Sequence, residues 1–225
     1  MKTKTLTLSN WKSITLILTF LTINLFSGEL IARPIATDIF GYPIGQSYQY
    51  IGKGKKASVG PLATFTGYHS RTLKSTPMRL KKAAYQAFTN LRNQARQEGI
   101  YLYVSFGYRS LATQRKLYQQ FGPRRAEKPG YSEHNIGTAI DLTRVTFQSE
   151  AFLWLLKKGF QLGWVPTYYY RSEGNFIREP WHWRYVGSKA AQTFYQHWKK
   201  SIERDKQRLT SLKRQGKLAK NRKLK

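Results

Sequence analysis

The stretch WHWRY, from Trp181 to Tyr185, leaves this chain little freedom in how it folds. Successive side chains of a strand point to opposite faces, so Trp181, Trp183 and Tyr185 share one side and His182 and Arg184 the other. Three aromatics on one side demand a core to cover them. That aims His182 into the cleft opposite. Glu179 has the wrong parity to share the His182 face on a regular strand, so Pro180 predicts a break at the strand's start that lets the carboxylate swing round.

A core of the required size is available. The chain has 225 residues, 40% hydrophobic and 15% aromatic, with the aromatics clustered between Phe65 and Trp198. That suits one domain with appendages. Ala84, Phe88, Leu91 and Ala95 recur at helical spacing and Gly99 ends the run, predicting an amphipathic helix over 78–98. IYLYVSF, 100–106, reads as a buried strand. A second helix follows over 111–120, with Leu111, Leu117 and Tyr118 toward one face. FGPRRAEKPGYSEHN is a loop by composition, and GTAIDL is a second strand. A third helix, 150–162, brings Phe152, Leu155, Leu156 and Phe160 together. The last, from Ser188 to about residue 206, carries Ala191, Phe194, Trp198 and Ile202 on one side. Helices and strands without strict β-α-β alternation predict an α+β fold, a small antiparallel sheet flanked by helices. Residues 33–76, rich in Gly, Pro, Ser and Thr, read as an irregular linker and lead-in, 77–202 as the domain, and 203–225 as a basic tail too polar to bury.

Lys2, Lys4 and Lys12 precede the apolar run ITLILTFLTINLF, 14–26. A membrane span usually needs about twenty apolar residues, so 1–32 reads as an export signal or signal anchor, with Ala32 and Ala36 as candidate cleavage positions. The expected location is the periplasm or cell envelope. There is no cysteine, which excludes disulfides, thiolate metal ligands and a cysteine nucleophile together. The net charge is +28, of which residues 199–225, with twelve Lys and Arg against Glu203 and Asp205, supply +10. Such a field favours polyanions. Behind an export signal, the expected partners of the basic tail are anionic envelope polymers or lipid. Nucleic acid is not expected, since no recognised binding motif accompanies the charge.

Chemistry must therefore come from oxygen and nitrogen groups. With only four histidines and eleven acidic residues in the chain, YSEHNIGTAIDL, 131–142, places His134 and Asp141 seven positions apart. On one straight strand they would lie roughly 23 Å apart, at about 3.3 Å per residue. They can share a metal only if the chain doubles back, and Gly137 is where a sharp bend is easiest. A catalytic zinc site usually has three protein ligands, an open position for water and a nearby carboxylate as base. His134, Asp141 and His182 would fill the first set and Glu179 the second role. A histidine beside aromatics is more often a hydrogen-bonded structural residue, so spacing allows this site without demanding it. His69 and His197 match no such pattern and read as surface or structural residues.

SEHNIGTAID resembles the SxHxxGxAxD signature, and EPWHWRYVG the ExxH signature, of VanY-like D-alanyl-D-alanine carboxypeptidases within the LAS metallopeptidases. GYRSLATQRKLY is similar to that family's upstream segment, and the order matches from about Met78 to Trp198. The resemblance implies a Zn2+ enzyme trimming the stem peptides of peptidoglycan, with the zinc site in the central cleft. It implies His134, Asp141 and His182 as ligands, Glu179 as general base, Arg109 as the group that meets the substrate carboxylate or oxyanion, and Ser132 and Gln114 as substrate contacts. The chain departs from the family at Phe106, where relatives often carry a small residue; this bears on the shape of the cleft and not on the metal chemistry. An L,D-carboxypeptidase or endopeptidase could use the same site with a different cleft. Outside enzymes, the alternative is a catalytically silent wall-binding module, against which the intact Glu179 speaks.

Overall fold

The computed structural model describes residues 36–45, 59–170 and 177–219. The proposed export segment lies outside them. Residues 34–225 form one compact unit. Among the described residues, no helix is long and apolar enough to cross a membrane.

The unit opens with a hairpin of β1, Leu62–Tyr68, and β2, Ser75–Lys81, paired antiparallel from Leu62 opposite Lys81 to Tyr68 opposite Ser75. This corrects the reading of 33–76 as irregular. β1 shows no clear alternation because only Phe65 and Gly67 within it are buried. It also shortens the first helix: Met78 to Lys81 finish β2, and α1 runs over Lys82–Gln97. Its buried side chains are Ala84, Phe88, Leu91 and Ala95, as the spacing predicts. Each large one contributes on the order of 1.5–3 kcal/mol of burial.

β3, Val104–Phe106, then leads to α2, Leu111–Phe121, whose start is capped by Ser110 accepting from the Thr113 amide at 3.1 Å. Here the expected face, Leu111, Leu117 and Tyr118, is only half-buried. Only Gln114 of α2 is buried, so the helix lies on the surface and sends one polar side chain inward. The segment read as a loop by composition is buried from Ser132 onward. It forms a 3-10 helix, Glu133–Ile136, that turns at Gly137 into β4, Ala139–Leu142. α3, Glu150–Lys158, continues as a 3-10 turn to Leu162 and is followed by β5, Trp164–Val165, and α4, Thr167–Tyr170. β6, His182–Tyr185, and α5, Ser188–Arg214, complete the unit.

The main sheet is antiparallel in the order β3-β4-β6-β5. Its core face carries Ile140 opposite Trp183. Trp183 stacks edge-on with Phe152 and Phe160, at centroid distances of 6.3 and 6.4 Å. The other face carries Asp141 directly opposite His182, and Ala139 opposite Arg184.

α5 runs eight residues beyond the expected end, and Ile202 and Leu209 are fully buried. The tail read as solvated is thus in part a packed helix, with Ala219 bridged to Ser149 beyond it. Polar residues dominate its composition because only one narrow stripe faces the protein. Leu209→Ala should therefore destabilise the fold by about 2–5 kcal/mol, the usual cost of truncating a buried leucine. A urea titration checks this; a change near zero is the outcome for a free tail.

Candidate metal centre and active site

The register of the sheet does half the work of assembling the site. Asp141 and His182 are cross-strand partners, so their side chains leave the same face of adjacent strands. His134 reaches them because the chain folds back at Gly137, in the left-handed region at φ 73°. A Cβ there would also meet Val59, Leu62 and the Lys81 amide at 3.2–3.3 Å. Glycine alone suits both demands. The bend expected at Gly137 is present.

His134 Nε2 lies 3.3 Å from Asp141 Oδ2, and His182 Nδ1 lies 3.0 Å from Asp141 Oδ1. The rings meet edge to face at 5.0 Å. One ligand atom from each of the three residues falls within 4.8 Å of the others, and all three are buried. The far nitrogen of each imidazole is also engaged. His134 Nδ1 donates to the Gly107 carbonyl at 2.8 Å, and His182 Nε2 pairs with Glu133 Oε2 at 2.8 Å. Such outer partners fix the tautomer and ring orientation of a ligating histidine. Gly107 is itself pressed against the Arg79 carbonyl, where a Cβ would come within 2.5 Å. The donor set and its support fit a divalent cation with nitrogen and oxygen ligands.

Glu133, which the sequence reading passed over, is the hub of the support. Besides His182 it accepts from Thr167 Oγ1, and its Oε1 lies 3.3 Å from Arg184 Nη1. Arg184 Nη2 in turn pairs with Asp38 Oδ2 at 2.5 Å, and Arg184 Nη1 donates to the Pro43 carbonyl at 2.9 Å. The polar face of WHWRY therefore meets the ligand cluster only at His182, itself fully buried; at Arg184 it is filled by Asp38, from the stretch read as linker. Tyr168 lies flat on the His182 ring, with centroids 3.9 Å apart and planes within 5°. Its hydroxyl accepts from the Glu133 amide at 3.3 Å. One signal for these residues was present: Arg184 shares the His182 face and needs a buried carboxylate.

The environments separate the carboxylates. Burial opposes the charge on Glu133, but Arg184 and the His182 and Thr167 bonds outweigh it and hold its pKa at about 2. Asp141 is likewise held well below the usual range by the two imidazoles, against burial. For Glu179, burial and the repulsion of Asp141 prevail over His182, Arg109 and a bond from the Trp181 side chain, and its pKa rises to about 7. The break expected at Pro180 does bring Glu179 within the field of Asp141, His182 and Arg109. Burial lowers the His134 pKa. For His182, burial is overcome by Asp141 and Glu133, and the pKa rises to about 9.

Arg109 lies at the edge of the cluster, 3.9 Å from Asp141 Oδ2 and above the Phe106 ring at 5.6 Å. Gln114 Oε1 accepts from its Nη1 at 2.9 Å, while Gln114 Nε2 donates to the Glu127 carbonyl at 2.7 Å. Both ends of that amide are thus engaged within the protein. Ser132 is buried, and its Oγ caps the 3-10 helix by accepting from the His134 amide at 3.3 Å. His69 and His197 lie apart from the cluster, His69 in the hairpin turn and His197 edge-on to Trp198.

Residues 77–188 match the family model for VanY, D-alanyl-D-alanine carboxypeptidase. The chain belongs to the VanY family. A D-alanyl-D-alanine carboxypeptidase of Enterococcus faecium is 34% identical over 115 residues, 48% of this chain and 38% of that protein. The chain spans less than half the length of the curated relatives it matches. Two solved structures share the fold. VanYB in complex with D-alanine-D-alanine superposes with a TM-score of 0.51 at 21% identity, over 67% of this chain and 91% of its own. The LdcB LD-carboxypeptidase superposes with a TM-score of 0.52 at 23% identity, over 75% and 82%.

Two outcomes follow for this VanY-family centre. Glu133→Gln should weaken divalent metal binding about 10–100-fold, the usual effect of removing a ligand's outer partner; competition with a chromophoric chelator reads it. In protein stripped of metal, Glu179 and His182 both bind protons more tightly folded than unfolded. Their stabilising contribution is complete below the unfolded values and is lost as pH rises through about 7 and about 9. The Tm of chelated protein should accordingly fall as pH rises toward 9, and metal should remove the share of that fall that belongs to His182 by taking the place of its ring proton.

Proposed function

We propose that this chain is an exported zinc carboxypeptidase that removes the C-terminal D-alanine from peptidoglycan stem peptides. The observation that carries the reading is the convergence of His134, Asp141 and His182 beside a carboxylate, Glu179, whose pKa is raised to about 7. A merely structural metal site has no use for that second carboxylate. Two nitrogens and one oxygen, with no thiolate in the chain, suit zinc with an open position. Zinc held there supplies Lewis acidity, acidifying water and polarising the peptide carbonyl.

The remaining steps belong to the side chains. Glu179 takes a proton from the attacking water and returns it to the nitrogen of the departing D-alanine as the C–N bond breaks. A pKa near neutrality suits a group that must both accept and release a proton. Arg109 meets the terminal carboxylate, since a planar, permanently charged guanidinium pairs with it through two parallel bonds. Gln114 holds that guanidinium in place, and Ser132 supports the His134 backbone at the substrate's edge. Export is supported by the basic residues and apolar run at 2–26. Anionic envelope polymers or lipid are the partners that the basic C-terminal end suits.

Glu179→Gln should keep stoichiometric zinc while D-alanine release from a pentapeptide falls about 10²–10⁴-fold, the range for loss of a general base. His134→Ala should lose both metal and activity. Mass spectrometry of pentapeptide and tetrapeptide digests, with metal analysis of each variant, decides the matter. Full activity in Glu179→Gln sinks the mechanism, and release from the tetrapeptide alone makes the enzyme an L,D-carboxypeptidase.

A further inference from the structure

A pocket of about 290 Å³ opens beside Asp141, on the side where the end of β4 meets the turn of the β1–β2 hairpin. Phe106, Leu142, Val145 and Trp181 give it largely apolar walls, and Ser70 and Arg144 stand among its lining residues. It continues the candidate active site, since Asp141 lines it and Trp181 is the neighbour of His182 and a hydrogen-bond partner of Glu179. Yet none of the groups assigned to the substrate's terminal carboxylate, Arg109, Gln114 or Ser132, lines it. A peptide whose carboxylate sits at Arg109 must place its other side elsewhere, and this pocket adjoins the same cluster.

Arg144 is the unusual member. It adopts φ 61°, a left-handed conformation that a long side chain rarely takes. Its neighbours impose this. Thr143 is buried, with its amide donating to the Tyr103 carbonyl at 2.8 Å and its hydroxyl to the Ser70 carbonyl at 3.3 Å. Val145 on the other side is buried as well. The exposed Arg144 is thus raised between two anchored residues at the pocket, and among the described residues it has no ion pair or hydrogen bond from its side chain. A strained residue presenting an unpaired guanidinium beside a cluster of this kind is arranged for a ligand.

We propose that this pocket binds the residue on the acyl side of the scissile bond whose side chain has an aliphatic stem, and that Arg144 selects a stem ending in a carboxylate. The stem lies against Phe106, Leu142 and Trp181, and the carboxylate pairs with the guanidinium. The hairpin turn, which lies outside the residues matched by the family model, supplies Ser70 and so makes one wall particular to this chain. The assignment of the acyl side rests on the carboxypeptidase reading given above.

Two pentapeptides ending in D-Ala-D-Ala test it, identical except that the third residue is lysine in one and lysine bearing an additional ε-carboxylate, a diamino diacid, in the other. Calorimetry on the zinc-loaded Glu179→Gln protein should show about tenfold tighter binding of the diacid peptide, as a charge-assisted pair at a partly exposed site gives. Adding Arg144→Met, which keeps the stem and the backbone conformation, should remove the preference, and Arg144→Glu should reverse it toward lysine. Equal binding of the two peptides, or a preference that survives Arg144→Met at an unchanged Tm, overturns the proposal. Turnover by the protein with Glu179 intact separates the two readings. Hydrolysis of both peptides at equal rates and equal affinities leaves a carboxypeptidase without this selectivity, whereas an Arg144-dependent preference in binding without hydrolysis leaves the pocket and removes the activity.

Discussion

The buried guanidinium of Arg184 is the interaction on which the rest of the centre depends. It is fully enclosed between Asp38 and Glu133. Withdrawing three charges from water costs several kcal/mol per ion, and only close pairing repays it. The pairing keeps Glu133 ionised, and an ionised Glu133 accepts from His182 Nε2, leaving Nδ1 turned toward Asp141. The orientation of one imidazole thus depends on a charge that reaches back to Asp38, far away in sequence. The second imidazole needs no such chain. His134 is oriented by a main-chain carbonyl, Gly107, in a loop held against β2.

Glu133 and Glu179 are the same residue type, the first buried and the second half-buried, and the protein drives their proton affinities apart. Arg184 and the hydrogen bonds hold Glu133 near 2, whereas burial beside the charge of Asp141 lifts Glu179 to about 7. The first is fixed as an anion across the working range and serves as a support. The second can exchange a proton near neutrality. Such a separation within a few residues of the same cluster is the physical mark of an acid–base site as opposed to a structural ion pair.

Much of this was legible in the chain. The alternation of WHWRY placed Trp183 in the core and His182 on the other face, and the register of β4 against β6 then set Asp141 opposite His182. The fold-back at Gly137 follows from the distance that His134 and Asp141 must close. What escaped has a common cause. β1 buries too few of its side chains to show a period, Asp38 and Glu133 are buried by a partner distant in sequence, and α5 hides Leu209 within a stripe too narrow to stand out among lysines. Local pattern reports which face of an element is apolar; it does not report what a lone charge will meet across the fold.

The pieces outside the matched residues 77–188 bear directly on the site. Residues 36–45 supply Asp38, the hairpin turn supplies Ser70, and α5 supplies Asp205. That aspartate accepts from the hydroxyls of Tyr169 and Tyr170 at 2.8 and 3.1 Å and lies 3.6 Å from Arg178 Nη2. Arg178 also donates from Nε to the Tyr169 carbonyl at 3.1 Å, with its guanidinium over the Tyr169 ring. Since Arg178 immediately precedes Glu179, α5 fixes the backbone from which the candidate base projects. The helix is thus tied to the fold by Asp205 and Leu209 along one stripe, while Lys199 and Lys200 on it are exposed. One element thus closes the fold and steadies the candidate base together, because the stripe that buries Ile202 and Leu209 also carries Asp205.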